Sequence, residues 1–326
     1  MLKQINRDKM KVIEHLEKSN DTLISFEIIP PKRGGDIKEL LNVLDDIVKY
    51  NPPFIDITSH PAEVVYEETP GGEIKMKVKR KRPGTLGICA LIQNKYNIDA
   101  VPHVLCTGFT KEETEDFLIE LHYLQIDNVL AIRGDDNGFR KPLKFGRSVN
   151  EYAVDLIKQI NDLNKGKYLE DGLLDAEPMD FCIGTSGYPE KHFEAPNLIS
   201  DIKYTKAKID AGASYIVTQM FYDNKYYFDY VKLCRQEGID APIIPGLKII
   251  TSKKHAYTLP KNFFIDIPTE LADELEAAKP EHALDIGINW AYKQVEELLN
   301  NNVPAIHFYI MQNSRPIKLL MKKLGY

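Results

Sequence analysis

The sequence predicts a single-domain (β/α)8 TIM barrel spanning residues 1–326. Three observations carry this. Eight short, apolar, β-rich segments alternate with helical segments along the chain, a pattern that builds a parallel sheet with right-handed crossovers. Eight such units in 326 residues suit closure into a barrel. The rival doubly wound sheet lacks its dinucleotide signature, because no GxGxxG follows the first strand.

Taken in order, residues 4–19 set Ile5, Val12, Ile13 and Leu16 among charges, which predicts an amphipathic leading helix. Strand one follows at Leu23 and is stopped by Pro30-Pro31, since neither proline offers an N–H to a ladder. In its middle stands Glu27. A carboxylate in an apolar strand is costly unless it is paired, so Glu27 is either on a wet face or in a site. Residues 37–50 carry apolar side chains at helical spacing. Phe54-Ile55-Asp56-Ile57-Thr58 is strand two. Residues 64–84 read as an exposed excursion or hairpin around Gly71-Gly72, ending in a basic run that reads as a solvated face.

A helix over 86–96 leads to strand three at 99–106. Thr110 with Glu113 three residues later predicts a capping box on the next helix. Strand four, 128–132, ends in Arg133-Gly134-Asp135. A helix near 148–162 and a polar loop excursion at 163–178 precede strand five at 181–184. The remaining strands are 215–219, 242–247 and 305–310. Helices are predicted over 198–211, up to about Gln236, across 252–300 in three pieces, and at the C-terminus.

Composition excludes several classes. The net charge of −6 gives no support to a nucleic-acid or membrane-surface role. No apolar run is long enough to span a bilayer, and residues 1–20 are charged throughout, so a cytoplasmic protein is expected. Cys89, Cys106, Cys182 and Cys234 are scattered, with no CxxC pair; reduced thiols are expected and no metal site. No HExxH, GxSxG or P-loop is present.

Polar residues collect at strand C-termini: Glu27, Thr58, His103, Asp135, the Tyr188/His192 pair, Gln219 and the segment after Tyr309. In a barrel these ends converge on one mouth. Such a set suits binding a planar heterocycle and moving protons and hydrides beside it. It also suits a sugar or another small metabolite. His103, following a proline, reads equally as a core histidine.

The motifs SFEIIPPK at 25–32, PHVLC at 102–106, NVLAIRGD at 128–135, GYPEKH at 187–192, KIDAGA at 208–213, TQMFYD at 218–223, IIPGL at 243–247 and HFY at 307–309 resemble, in order, those of the flavin-dependent 5,10-methylenetetrahydrofolate reductase family. The resemblance implies bound FAD, NADH or NADPH as electron donor, and reduction of methylenetetrahydrofolate to 5-methyltetrahydrofolate by ping-pong hydride transfer. It implies that Glu27 is the general acid and that Asp135 contacts both flavin and pterin. It implies that Gln219 binds the pterin, and that Thr58, His103, Arg133, Gly134, Asp135, Ala153, Tyr188, His192, Asp201 and Lys208 line FAD. Two departures stand out. Residues 248–253 lack the aromatic that many members carry. After HFY, Asn313 takes the place of an arginine that helps hold the folate, leaving Arg315 as a substitute only after a local shift. A partner electron-transfer protein or a homo-oligomer is compatible with these departures. Two other readings stay open: a proline-dehydrogenase-like barrel flavoenzyme, and a non-catalytic barrel subunit.

Overall fold

The computed structural model describes residues 9–135 and 141–326. Its chain order is α1 (Val12–Lys18), β1 (Leu23–Ile28), α2 (Ile37–Ile47), β2 (Phe54–Ile57), β3 (Glu63–Glu68), β4 (Ile74–Lys79), α3 (Leu86–Leu91), β5 (Asp99–Leu105), α4 (Lys111–Tyr123), β6 (Asn128–Ile132) and α5 (Ala153–Leu163). The second half follows as β7 (Cys182–Gly187), α6 (Leu198–Asp210), β8 (Tyr215–Met220), α7 (Asn224–Gln236), β9 (Ile243–Leu247), α8 (His255–Phe263), α9 (Thr269–Ala277), α10 (Ala283–Asn300), β10 (Ala305–Met311) and α11 (Arg315–Leu324).

Eight strands close into a parallel barrel in the order β1-β10-β9-β8-β7-β6-β5-β2. The (β/α)8 expectation is thus met. β3 and β4 stand apart as an antiparallel hairpin, which is the predicted excursion. Its turn uses Gly72 at φ 79°, a left-handed backbone that glycine adopts without steric cost. The basic run is largely paired within the hairpin: Lys77 and Lys79 flank Glu67, and Lys81 meets Glu63.

Helix starts follow local chemistry. Asp36, Asn197 and Asp223 accept backbone N–H bonds at the starts of α2, α6 and α7, and Thr110 and Glu113 form the expected capping box on α4. On α2, Leu40, Val43, Leu44 and Ile47 are buried on one face. The leading helix is shorter than its apolar pattern predicts. It begins at Val12, Lys11 is extended, and residues 4–8 lie outside the described residues. This helix plugs the N-terminal end of the barrel. Val12, Ile13 and Leu16 pack on Phe54, Val101, Leu130, Tyr215 and Ala305. Asn128 holds it by accepting from the Val12 N–H at 2.8 Å and donating to the Met10 carbonyl.

The alternation of β-strands sorts side chains by face. Phe26 points outward against Tyr50 and Phe308. Its neighbours Ser25 and Glu27 point into the barrel. Two irregularities lie at the mouth. The β1–β10 register shifts between Glu27 and Ile28, opposite Met311 at φ 59°, and the β8–β9 register shifts between Val217 and Met220. Such bulges re-aim side chains next to sites. Among the described residues no helix is long and apolar enough to cross a membrane, and no cluster of three or more His, Cys, Asp or Glu is arranged to hold a metal ion. All four cysteines are free and buried.

Candidate active site

Glu27 is 6% exposed at the C-terminal end of β1. The Thr58 hydroxyl, just past β2, donates to its Oε1 at 2.6 Å. Its Oε2 faces two imidazoles, His103 Nε2 at 3.6 Å and His307 Nε2 at 3.8 Å. His307 is set by Ser25, whose Oγ lies 2.8 Å from Nδ1. The second carboxylate, Asp56 on β2, has its Oδ2 3.6 Å from the same His103 Nε2. Two carboxylates and two histidines thus share the upper barrel interior.

Burial alone would raise the Glu27 pKa. The neighbouring charge of His103, then His307 and the Thr58 hydroxyl, outweigh it and hold the carboxyl down at about 2. Burial likewise works against a charged His103, and the Glu27 and Asp56 carboxylates reverse it, raising the imidazole pKa. Asp56 was not anticipated as a site residue. Its signal was the one Glu27 gives, a carboxylate within an apolar strand.

A second cluster forms between β7 and α6. The Tyr188 and His192 rings meet edge-on at 4.7 Å. The His192 backbone N–H donates to Asp201 at 2.8 Å. Lys208 bonds the Ser186 carbonyl and lies 6.0 Å from the centre of the Tyr188 ring. Burial brings this lysine down to about 8, against the pull of Asp201. Arg133 reaches Glu194 at 2.8 Å, drawing the end of β6 towards the cluster. Gly134 follows at φ 86°. Asp135 is exposed at the strand end and near enough to His60 and Tyr188 to act on both: it opposes the burial that lowers the His60 pKa and adds to the burial that raises that of Tyr188. Ala153 is the half-buried first residue of α5. Residues far apart in sequence therefore meet around one mouth, as the barrel geometry requires.

On the third side, Gln219 sits at the β8 irregularity, its Oε1 accepting from the Met220 N–H. A cavity of about 210 Å³ opens between β9 and β10, lined by Lys248, His255, Tyr309, Gln312 and Asn313 among others. Arg315 is exposed and absent from that lining; only its backbone N–H reaches towards it, bonding the Asn313 side chain. Asn313 lines this cavity and Arg315 does not. Lys248 follows β9 and donates to the Tyr309 carbonyl at 3.3 Å. Burial lowers its pKa and Glu27 raises it. His60 is a further residue that went unnoticed. Its Nδ1 is buried with no hydrogen-bond partner, and burial and Arg82 lower its pKa. The available signal was the polar run after strand two.

Comparison with known proteins agrees with this geometry. The family model described as Methylenetetrahydrofolate reductase matches residues 11–325. The chain is 30% identical over 330 residues to Methylenetetrahydrofolate reductase (NADH) 1 of Arabidopsis thaliana, covering 97% of this chain and 51% of the relative. It is 29% identical over 307 residues to Methylenetetrahydrofolate reductase 1 of Schizosaccharomyces pombe, covering 92% of this chain and 45% of the relative. It is 27% identical over 306 residues to 5,10-methylenetetrahydrofolate reductase of Escherichia coli, covering 93% and 90%. The chain spans about half the length of the eukaryotic relatives and most of the bacterial one. Among solved structures, an uncharacterized Clostridium thermocellum protein that binds two copies of 5-methyl-5,6,7,8-tetrahydrofolic acid shares the fold, with TM-score 0.58 and 16% identity over 96% of this chain and 98% of that one. With its residues matched from the plug helix to the last helix, this chain belongs to the methylenetetrahydrofolate reductase family.

Proposed function

We propose that the protein reduces 5,10-methylenetetrahydrofolate to 5-methyltetrahydrofolate, with FAD as cofactor and NADH or NADPH as electron donor. The observation that carries this reading is Glu27: a buried carboxylate at a strand end, hydrogen-bonded by Thr58, with Asp135 and Gln219 at neighbouring ends of the same mouth.

The β6–β7 side fits a flavin dinucleotide. Lys208 carries three donors, and the bond described here uses one, to the Ser186 carbonyl; it suits a phosphate as a point charge. Tyr188 and His192 present an aromatic pair, and Gly134 brings the backbone close. Thr58, His103, Arg133, Gly134, Asp135, Ala153, Tyr188, His192, Asp201 and Lys208 would line the cofactor. When bound, FAD supplies the hydride. The chain's own residues do the rest. Gln219 and Asp135 orient the pterin. Glu27 hands a proton to the N10 amine as the imidazolidine ring opens, which positioned acid catalysis accelerates by roughly 10²–10⁴-fold. Asn313 and the Lys248 cavity are the nearest polar surface for the substrate's far end.

Anaerobic half-reactions test the reading. Purified protein takes up FAD, NADH or NADPH reduces it, and methylenetetrahydrofolate reoxidises it. Glu27→Gln retains the donor half-reaction and loses the folate half-reaction by roughly 10²–10⁴-fold. Equal loss of both removes the general-acid role. A protein that binds no FAD removes the whole proposal.

A further inference from the structure

A general acid must hold a proton, yet Glu27 sits where the carboxylate is the resting form. The proton has to come from a neighbour. His103 is the neighbour with the right geometry. Its ring is 4% exposed, and its Nε2 lies midway between two carboxylates, 3.6 Å from Glu27 Oε2 and 3.6 Å from Asp56 Oδ2. Asp56 is 0% exposed, and neither of its oxygens has a hydrogen-bond partner, nor does either nitrogen of His103. A buried carboxylate without compensation costs several kcal/mol, so a positive imidazolium beside it is the charge state this arrangement accommodates. The 3.6 Å spacings exceed a hydrogen bond, as contacts often do before a substrate tightens a site.

Residue His103 also borders a mainly apolar cavity of about 260 Å³ that reaches the exposed Glu120.

We propose that the proton delivered by Glu27 is stored on His103, with Asp56 as the positioning residue that keeps the imidazole charged. This rests on the folate-reductase reading of the site. In the step, the His103 Nε2–H bond breaks and a Glu27 Oε2–H bond forms. That O–H bond then breaks as the leaving amine gains its N–H, using the electron pair released from the C–N bond. Asp56 exchanges no proton in this step, and solvent resupplies the His103 proton between turnovers. The ionisable groups around His103 are Glu27 on β1, Asp56 and His60 on and after β2, and His307 and Tyr309 on β10. Lys248 after β9, Tyr215 on β8 and Cys89 on α3 lie further out, each electrostatically coupled to Glu27 or Asp56.

The test is histidine-selective ¹⁵N NMR of the FAD-loaded full chain, with the His103 signal assigned by its loss in His103→Gln. Wild-type His103 carries protons on both ring nitrogens at about pH 7.5, above the ordinary histidine value, and in Asp56→Asn it is neutral there. A wild-type His103 that is neutral at that pH overturns the proposal, and this arm does not depend on the Asp56 variant. The titration reads the imidazole directly, so its outcome does not depend on which substrate the site takes. In single-turnover folate reduction, Asp56→Asn moves the alkaline limb of the pH profile down by about one unit and lowers the rate at about pH 7.5 roughly tenfold, with folate KM within about twofold. An unchanged pH profile overturns it as well.

Discussion

The Thr58 hydroxyl donates to Glu27 Oε1 at 2.6 Å and so joins the ends of β1 and β2 at the mouth of the barrel. A hydrogen bond to a buried charge contributes about 1.5–3 kcal/mol. Thr58→Val keeps the shape and removes the donor. Urea unfolding is expected to show a loss of that size. A change within about 0.5 kcal/mol would mean that Glu27 is satisfied by its histidines alone.

Glu27 also sets an acid limb of stability. Its folded pKa is about 2 against an ordinary 4.5. A depressed carboxyl contributes stability above its unfolded pKa, and the contribution drains away as pH falls from 4.5 towards 2. Glu27→Gln has no proton to gain in that window. Its melting temperature is therefore expected to fall less than that of the wild type between about pH 5 and 3, as measured by circular dichroism. His103 runs the other way: its raised pKa contributes stability below its unfolded value, which is lost as pH rises through the folded one.

Glu190 behaves oppositely to Glu27. Burial, with the charges of Asp266 and Asp223, pushes its carboxyl up to about 7, although the Asp266 N–H donates to it at 2.6 Å. A raised acid favours the fold while protonated, so wild-type stability declines as pH rises from about 4.5 to 7. Glu190→Gln keeps an acceptor for Asp266 without the charge. Thermal unfolding is expected to show it gaining on the wild type at pH 8 relative to pH 5; an equal difference at both would count against the buried-carboxyl explanation.

Two glycines give opposite signs. A Cβ on Gly246 in β9 would lie 2.2 Å from the Thr218 carbonyl and 2.6 Å from the Tyr309 ring. Neither the barrel backbone nor a ring hydrogen-bonded to it yields cheaply, so Gly246→Ala is expected to cost about 3 kcal/mol or more. A Cβ on Gly87, in α3, meets nothing within 4 Å. Gly87→Ala is expected to gain about 0.5–1 kcal/mol from helix propensity. Melting temperatures moving in the same direction for both would show that packing is not what distinguishes them.

The strands were legible because a buried parallel strand is a short apolar run between breakers, and eight such runs alternating with helices admit few architectures. Glu27 was legible because a carboxylate within such a run is improbable without a role. Asp135, Tyr188, His192 and Gln219 were legible as polar strand ends, and their order matched a family. The start of the plug helix was not, since amphipathic spacing continues upstream of Val12 while the helix is nucleated by the Lys11–Glu14 cap and by Asn128 across the barrel. Asp56 lay in plain view within Phe-Ile-Asp-Ile. Its partner His103 lies 47 positions away, and only the β2–β5 pairing lays the two side chains in one layer. The sequence by itself determined the barrel, its mouth and the carboxylate in it. Tertiary structure alone decided which charges face that carboxylate, because protonation depends on distances of a few ångströms between strands, and closure of the sheet sets those distances.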